Sequence, residues 1–152
     1  IGRVVAKKQG MEFIDADKNI EEKCSMNISE IFKKKGEKFF RIEEKKEVLK
    51  LLKKNNCVIA LGGGAFINGT IRNNVLKNTI SMWLDVNLRT LNKRIKWSKK
   101  RPLVSRKNNQ KKINELYFER KNIYKLADHK INCDNLNKEN IAKKIIIFYE
   151  KH

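Results

Sequence analysis

Short apolar stretches that read as buried strands alternate along this chain with longer stretches whose apolar residues recur at helical spacing, and that alternation limits the folds open to it. "MEFIDAD", "CVIALGGG", "TISMWLDV" and "HKINC" read as strands. Around them, "VVAKKQG", the long "SEIFKKKGEKFFRIEEKKEVLKLLKKN", "TIRNNVLKN", "NLRTLNKRIKW", "KKINELYFERKNIYKLA" and "NKENIAKKIIIFYEK" read as helices. The first is closed by Gly10 and the long one is broken at Gly36, while a further helical stretch begins at Asn19. Such alternation predicts the α/β class, with a parallel sheet flanked by helices. "SKKRPLVSRKNNQ", polar and carrying the lone Pro102, reads as a loop able to fold over a site.

A chain of 152 residues, 40% hydrophobic, is long enough to build one compact domain around a core. It contains no run of eighteen apolar residues, and its start lacks the basic, apolar, small order of an export signal. Both observations argue against a membrane or secreted protein. Cys24, Cys57 and Cys133 are odd in number and far apart, and read as reduced thiols of a cytoplasmic protein. The formal charge of +19 invites a nucleic-acid partner, but its distribution does not support one. Lysine runs recur along the whole chain (Lys7 and Lys8, Lys33 to Lys35, Lys53 and Lys54, Lys99 and Lys100, Lys143 and Lys144), which reads as a solvated surface. Phe39, Phe40, Tyr117 and Phe118 are assigned to the core instead of to a base-stacking face.

In an open parallel sheet, ligands bind beyond the carboxyl ends of the strands. Val58 to Leu61 run directly into Gly62, Gly63 and Gly64, where a bare backbone lets something come close. No G-x-x-x-x-G-K-[ST] follows, so the glycines alone do not name a phosphate. Asp15 and Asp17 end the neighbouring strand-like segment, and alternation there places both on one face toward the same crevice. A lone D-x-D is also a common cap or turn, but beside a glycine-ended strand and a basic loop it makes a site hypothesis.

"FIDAD", "GEKFFRIEE", "ALGGGAF", "RPLV" and "ERKNIYKLA", in that order over nearly the whole chain, resemble the shikimate kinases. The resemblance implies a P-loop, nucleoside-monophosphate-kinase-like α/β domain over residues 1–152, with a lid at about 98–110. It implies transfer of the γ-phosphoryl of ATP to the 3-hydroxyl of shikimate, a step of aromatic amino-acid biosynthesis, with Mg2+ as cofactor. A cytoplasmic monomer without nucleic-acid or membrane partners is expected. Asp17 would bind the ring hydroxyls of shikimate and align or deprotonate the attacking oxygen. Gly62, Gly63 and Gly64 would admit shikimate to the backbone, and Arg41 and Arg120 would grip its carboxylate through a planar two-bond fork. Glu44 would hold Arg41 in place. Arg101 would swing in with the lid to neutralise charge on the transferring phosphate, and Arg94 would stack on adenine. Asp15 would act on magnesium through its water shell. The plainer alternatives are a helix N-cap for Asp17, a turn residue for Asp15 and surface ion pairs for the arginines.

The resemblance departs at the beginning. The family opens with a strand and a phosphate loop ending Gly-Lys-Ser or Gly-Lys-Thr, then a helix much like "IGRVVAKKQG", and Ile1 falls just after that loop. An N-terminally truncated shikimate kinase is therefore expected, lacking the first and central strand, with a break between its second and third strands and no activity on its own. A non-catalytic shikimate-binding remnant and a basic nucleic-acid-binding module are the alternatives.

Overall fold

The computed structural model describes residues 1–96 and 109–152, and side chains within 1–92 and 111–152. In chain order the elements are α1 (Gly2–Gln9), β1 (Glu12–Asp15), α2 (Ala16–Cys24), α3 (Ile28–Leu51), β2 (Cys57–Ala60), a 3-10 turn (Ala65–Ile67), α4 (Gly69–Asn78), β3 (Met82–Asp85), α5 (Leu88–Lys96), α6 (Asn109–Tyr124), β4 (His129–Asn132) and α7 (Lys138–Tyr149). β1 pairs with β2 and β3 with β4, both in parallel. Among the described residues β2 and β3 share no ladder, so the break falls where the resemblance placed it. The register sets Asp15 opposite Ala60, which brings the carboxylate end of β1 level with the approach to the triple glycine.

Local chemistry sets the element ends. Gly10 closes α1 in the left-handed region (φ 64°, ψ 27°), where a residue without Cβ is unstrained. α3 opens with a capping box in which Asn27 Oδ1 accepts from the Glu30 N–H and Glu30 Oε2 accepts from the Asn27 N–H, both at 2.9 Å. Inside α3, Gly36 (φ 84°, ψ 165°) leaves helical geometry and bends the chain, as its place in the sequence predicts.

β1 is shorter than expected. Its last residue, Asp15, turns its carboxylate onto the N–H groups of Asp17 (3.2 Å) and Lys18 (3.4 Å), which starts α2 at once. Asp17 therefore sits in the first turn of a helix, and the shared-face argument from strand alternation does not hold. The N-cap role weighed for Asp17 belongs to Asp15.

The main core lies between β1, α3, the 3-10 turn and α4, built from Ile14, Ala16, Val48, Leu51, Ala65, Phe66, Ile71 and Val75. Fully buried aliphatic side chains such as Val48 and Ile71 each contribute roughly 1.5 to 3 kcal/mol of transfer free energy. Ile20, Ile31 and Phe40 form a second cluster under the bend in α3, and Ile131, Cys133 and Ile141 a third under α7. Phe118 departs from its core assignment and is 62% exposed. At 3.6 residues per turn, a helix that turns Ile113 and Arg120 inward carries Phe118 to the opposite side. All three cysteines are free thiols, and no described helix is long and apolar enough to cross a membrane.

Candidate active site

Three successive glycines at the end of β2 receive three polar side chains from three different helices. A Cβ on Gly62 would lie 2.6 Å from Asp17 Oδ1, on α2. On Gly63 it would lie 3.2 Å from Arg120 Nη1, on α6, and on Gly64 2.7 Å from Arg41 Nη2, on α3. None of the three glycines is required by its backbone angles. The positive-φ glycines of the described chain are Gly10 and Gly36, and Gly64 has an ordinary φ of −98°. The missing side chains therefore make room, and what first occupies the room is a carboxylate and two guanidinium groups.

Arg41 is held in place from behind. Its Nη1 donates to Glu44 Oε2 at 2.7 Å and its Nη2 to Glu37 Oε1 at 3.2 Å, the neighbours one helical turn provides. Burial opposes the Arg41 charge, but the hydrogen bonds and negative charge of Glu44 and Glu37 outweigh it and hold the guanidinium above its usual range. Glu44 is only 2% exposed. Burial pushes its carboxyl up, against the hydrogen bond and charge of Arg41 and the positive charge of Arg120. Arg72 anchors the far end of the loop, with Nη1 donating to the carbonyls of Phe66 (3.2 Å) and Ile67 (3.0 Å).

Asp17 is perturbed in the way a proton acceptor near neutral pH requires. Burial raises it from 3.8 to about 6, the negative charges of Glu44, Asp15 and Glu21 add to the rise, and Arg41 partly opposes it.

The structure thus brings together Asp17, Arg41, Gly62, Gly63, Gly64 and Arg120, with Glu44 behind Arg41. Asp15 lies next to them, and its Oδ1 is engaged in capping α2. Arg101, Lys99, Lys100 and most of the expected lid lie outside the described residues, as does the side chain of Arg94; Asn109 and Gln110 already belong to α6. Among the described residues no group of three or more His, Cys, Asp or Glu side chains could hold a metal ion. Asp15 fits only an ion that keeps most of its water, as magnesium does.

One residue of the site carries no role in the sequence reading. Tyr124 donates its phenolic hydrogen to the Gly63 carbonyl, and its ring packs on Trp83 and Phe66. The available signal was its spacing, four residues after Arg120, which puts both on one helix face.

The sequence model of shikimate kinase matches residues 1–150. The chain belongs to the shikimate kinase family. It is 40% identical over 146 residues to the shikimate kinase of a Sulfurihydrogenibium species, covering 96% of this chain and 87% of that one. With the Bacillus subtilis shikimate kinase it shares 37% identity over 147 residues, 96% of this chain and 79% of that one. Among solved structures, Acinetobacter baumannii shikimate kinase in complex with shikimate superimposes with a TM-score of 0.94 at 30% identity, covering 99% of this chain and 84% of that one. Aquifex aeolicus shikimate kinase gives 0.86 at 31% identity, with 98% and 87% covered. The fold is therefore that of the shikimate kinases, which belong to the P-loop kinases.

Proposed function

We propose that this shikimate kinase family member moves the γ-phosphoryl group of ATP to the 3-hydroxyl of shikimate, with the acceptor seated against Gly62–Gly64. The observation that carries the reading is the convergence of one carboxylate raised to about 6 and two guanidinium groups on three glycines. Shikimate offers a carboxylate and ring hydroxyls. Arg41 and Arg120 take the carboxylate as two-bond forks, and Asp17 takes the hydroxyls. In the transfer, the 3-hydroxyl oxygen bonds to the γ-phosphorus as the bond to the β–γ bridging oxygen breaks. ADP leaves, and the hydroxyl proton passes to Asp17.

The remaining assignments rest on the family resemblance. Arg101 would neutralise charge on the transferring group, and Arg94 would pack on adenine. Asp15 would hold magnesium through its water shell, and a bound ion would offset negative charge on the phosphates. The protein is read as one domain, acting as a cytoplasmic monomer without nucleic-acid or membrane partners.

We further propose that residues 1–152 do not turn over ATP by themselves. They contain no G-x-x-x-x-G-K-[ST] stretch to cradle the phosphates, and β2 and β3 share no ladder. The test compares residues 1–152 alone with the same residues behind a strand and a Gly-Lys-Ser or Gly-Lys-Thr loop grafted from a relative. Shikimate-dependent ADP release is expected from the graft only. Equal release from both contradicts the second proposal, and a folded graft that binds ATP yet leaves shikimate unphosphorylated contradicts the first.

A further inference from the structure

Tyr124, the last residue of α6, stands one turn beyond Arg120 on the same helix face, and the two side chains bracket Gly63. The Cβ position of Gly63 lies 3.2 Å from Arg120 Nη1 and 3.5 Å from Tyr124 Oη. The phenol donates to the Gly63 carbonyl, while the ring is wedged between Trp83 of β3 (centroids 6.1 Å apart) and Phe66 of the 3-10 turn (6.4 Å). Ring packing thus sets where the hydroxyl sits, and the hydroxyl sets where the carbonyl points. A peptide is planar and trans, so a Gly63 carbonyl drawn toward Tyr124 turns the N–H of Gly64 to the opposite side. Three glycines in a row have more backbone freedom to lose than any other tripeptide, so a tether at the middle one has the largest effect.

We infer that Tyr124 is a positioning residue for the acceptor: its hydroxyl locks the Gly63–Gly64 peptide, and with it the surface that shikimate meets, while tying the Arg120 end of α6 to the same loop. The inference rests on the functional reading above and assigns a role to a residue that reading does not use. Tyr124 moves no proton, so its loss falls on the binding of one substrate.

The test uses the complete protein and Tyr124→Phe, which keeps the ring packing and removes only the hydroxyl. Two quantities are read: amide hydrogen exchange of the segment 61–67 without substrate, and KM for shikimate and for ATP. Exchange in that segment is expected to speed up, and KM for shikimate to rise, each by about three- to tenfold, the span of one lost hydrogen bond. KM for ATP stays within about twofold. A side chain that only stabilises the fold would instead lower the thermal midpoint and weaken both substrates alike. Unchanged exchange, faster exchange with an unchanged KM for shikimate, or an equal rise in both KM values overturns the inference while leaving the functional reading intact. A wild-type protein that does not phosphorylate shikimate refutes that reading and the inference with it, and wild-type turnover separates the two failures.

Discussion

The guanidinium of Arg41 is clamped between the buried carboxylate of Glu44, 2.7 Å from its Nη1, and the bare backbone of Gly64. The hydrogen bonds to Glu44 and Glu37 orient its fork before any acceptor arrives. Substitution on either side has a different expected outcome.

Gly64→Ala introduces a methyl group into the space of the Arg41 guanidinium. The backbone angles at Gly64 suit alanine, so the methyl and not the main chain causes the effect. The expected result is an increase in KM for shikimate of about tenfold, equivalent to about 1.4 kcal/mol, with KM for ATP unchanged. Steady-state kinetics with each substrate varied in turn checks it.

Glu44→Ala removes the partner of Nη1 and leaves Arg41 held by Glu37 alone. The Arg41 side chain is 30% exposed and keeps access to water, so the stability loss is discounted to about 1 to 2 kcal/mol. Urea unfolding reads that loss, and KM for shikimate is expected to rise in the same variant because Arg41 has lost one of its two restraints.

Asp17 controls a pH dependence of known sign. Its carboxyl titrates at about 6 in the folded chain against 3.8 ordinarily, so between those values the folded state holds a proton the unfolded state has released. Its contribution to stability is fully present below about pH 4 and is lost as pH rises through about 6. Activity runs the other way. As the proposed base, Asp17 has to be ionised to accept the proton, so kcat/KM is expected to rise with pH through about 6 and level off above it. Asp17→Asn keeps the shape, abolishes that limb and lowers kcat by at least about a hundredfold. Urea unfolding across pH reads the stability effect and a kinetic pH profile of both proteins reads the other two; near-normal turnover in the variant would leave Asp17 a hydrogen-bonding residue only.

Much of the fold was legible because its signals are local. Strand and helix alternate as the apolar pattern requires, Gly10 and Gly36 punctuate where expected, and Glu44 reaches Arg41 at helical spacing. The misreadings came from competition between local and tertiary partners. Alternation in "FIDAD" pointed to a longer strand, but a short carboxylate at Asp15 bonds the backbone ahead of it and converts the next residue into helix. Tyr124 escaped notice because its partner is a main-chain carbonyl 61 residues away, and backbone acceptors leave no mark in a sequence. Periodicity marks the triple glycine only as a place that something approaches, and the family resemblance names shikimate as that something. That Asp17, Arg120 and Arg41 each take one glycine is a product of three helices meeting, visible only in the fold.

Arg41, Arg120 and Asp17 are proposed to hold a carboxylate-bearing acceptor against the triple glycine. The most direct measurement is the affinity of the complete protein and of its Arg120→Ala variant for shikimate and for ATP. Removing one side of an Arg–carboxylate fork costs roughly 2 to 5 kcal/mol. Shikimate binding is therefore predicted to weaken by at least about thirtyfold while ATP binding stays within about twofold. Equal weakening for both ligands, or unchanged shikimate affinity, would contradict the account.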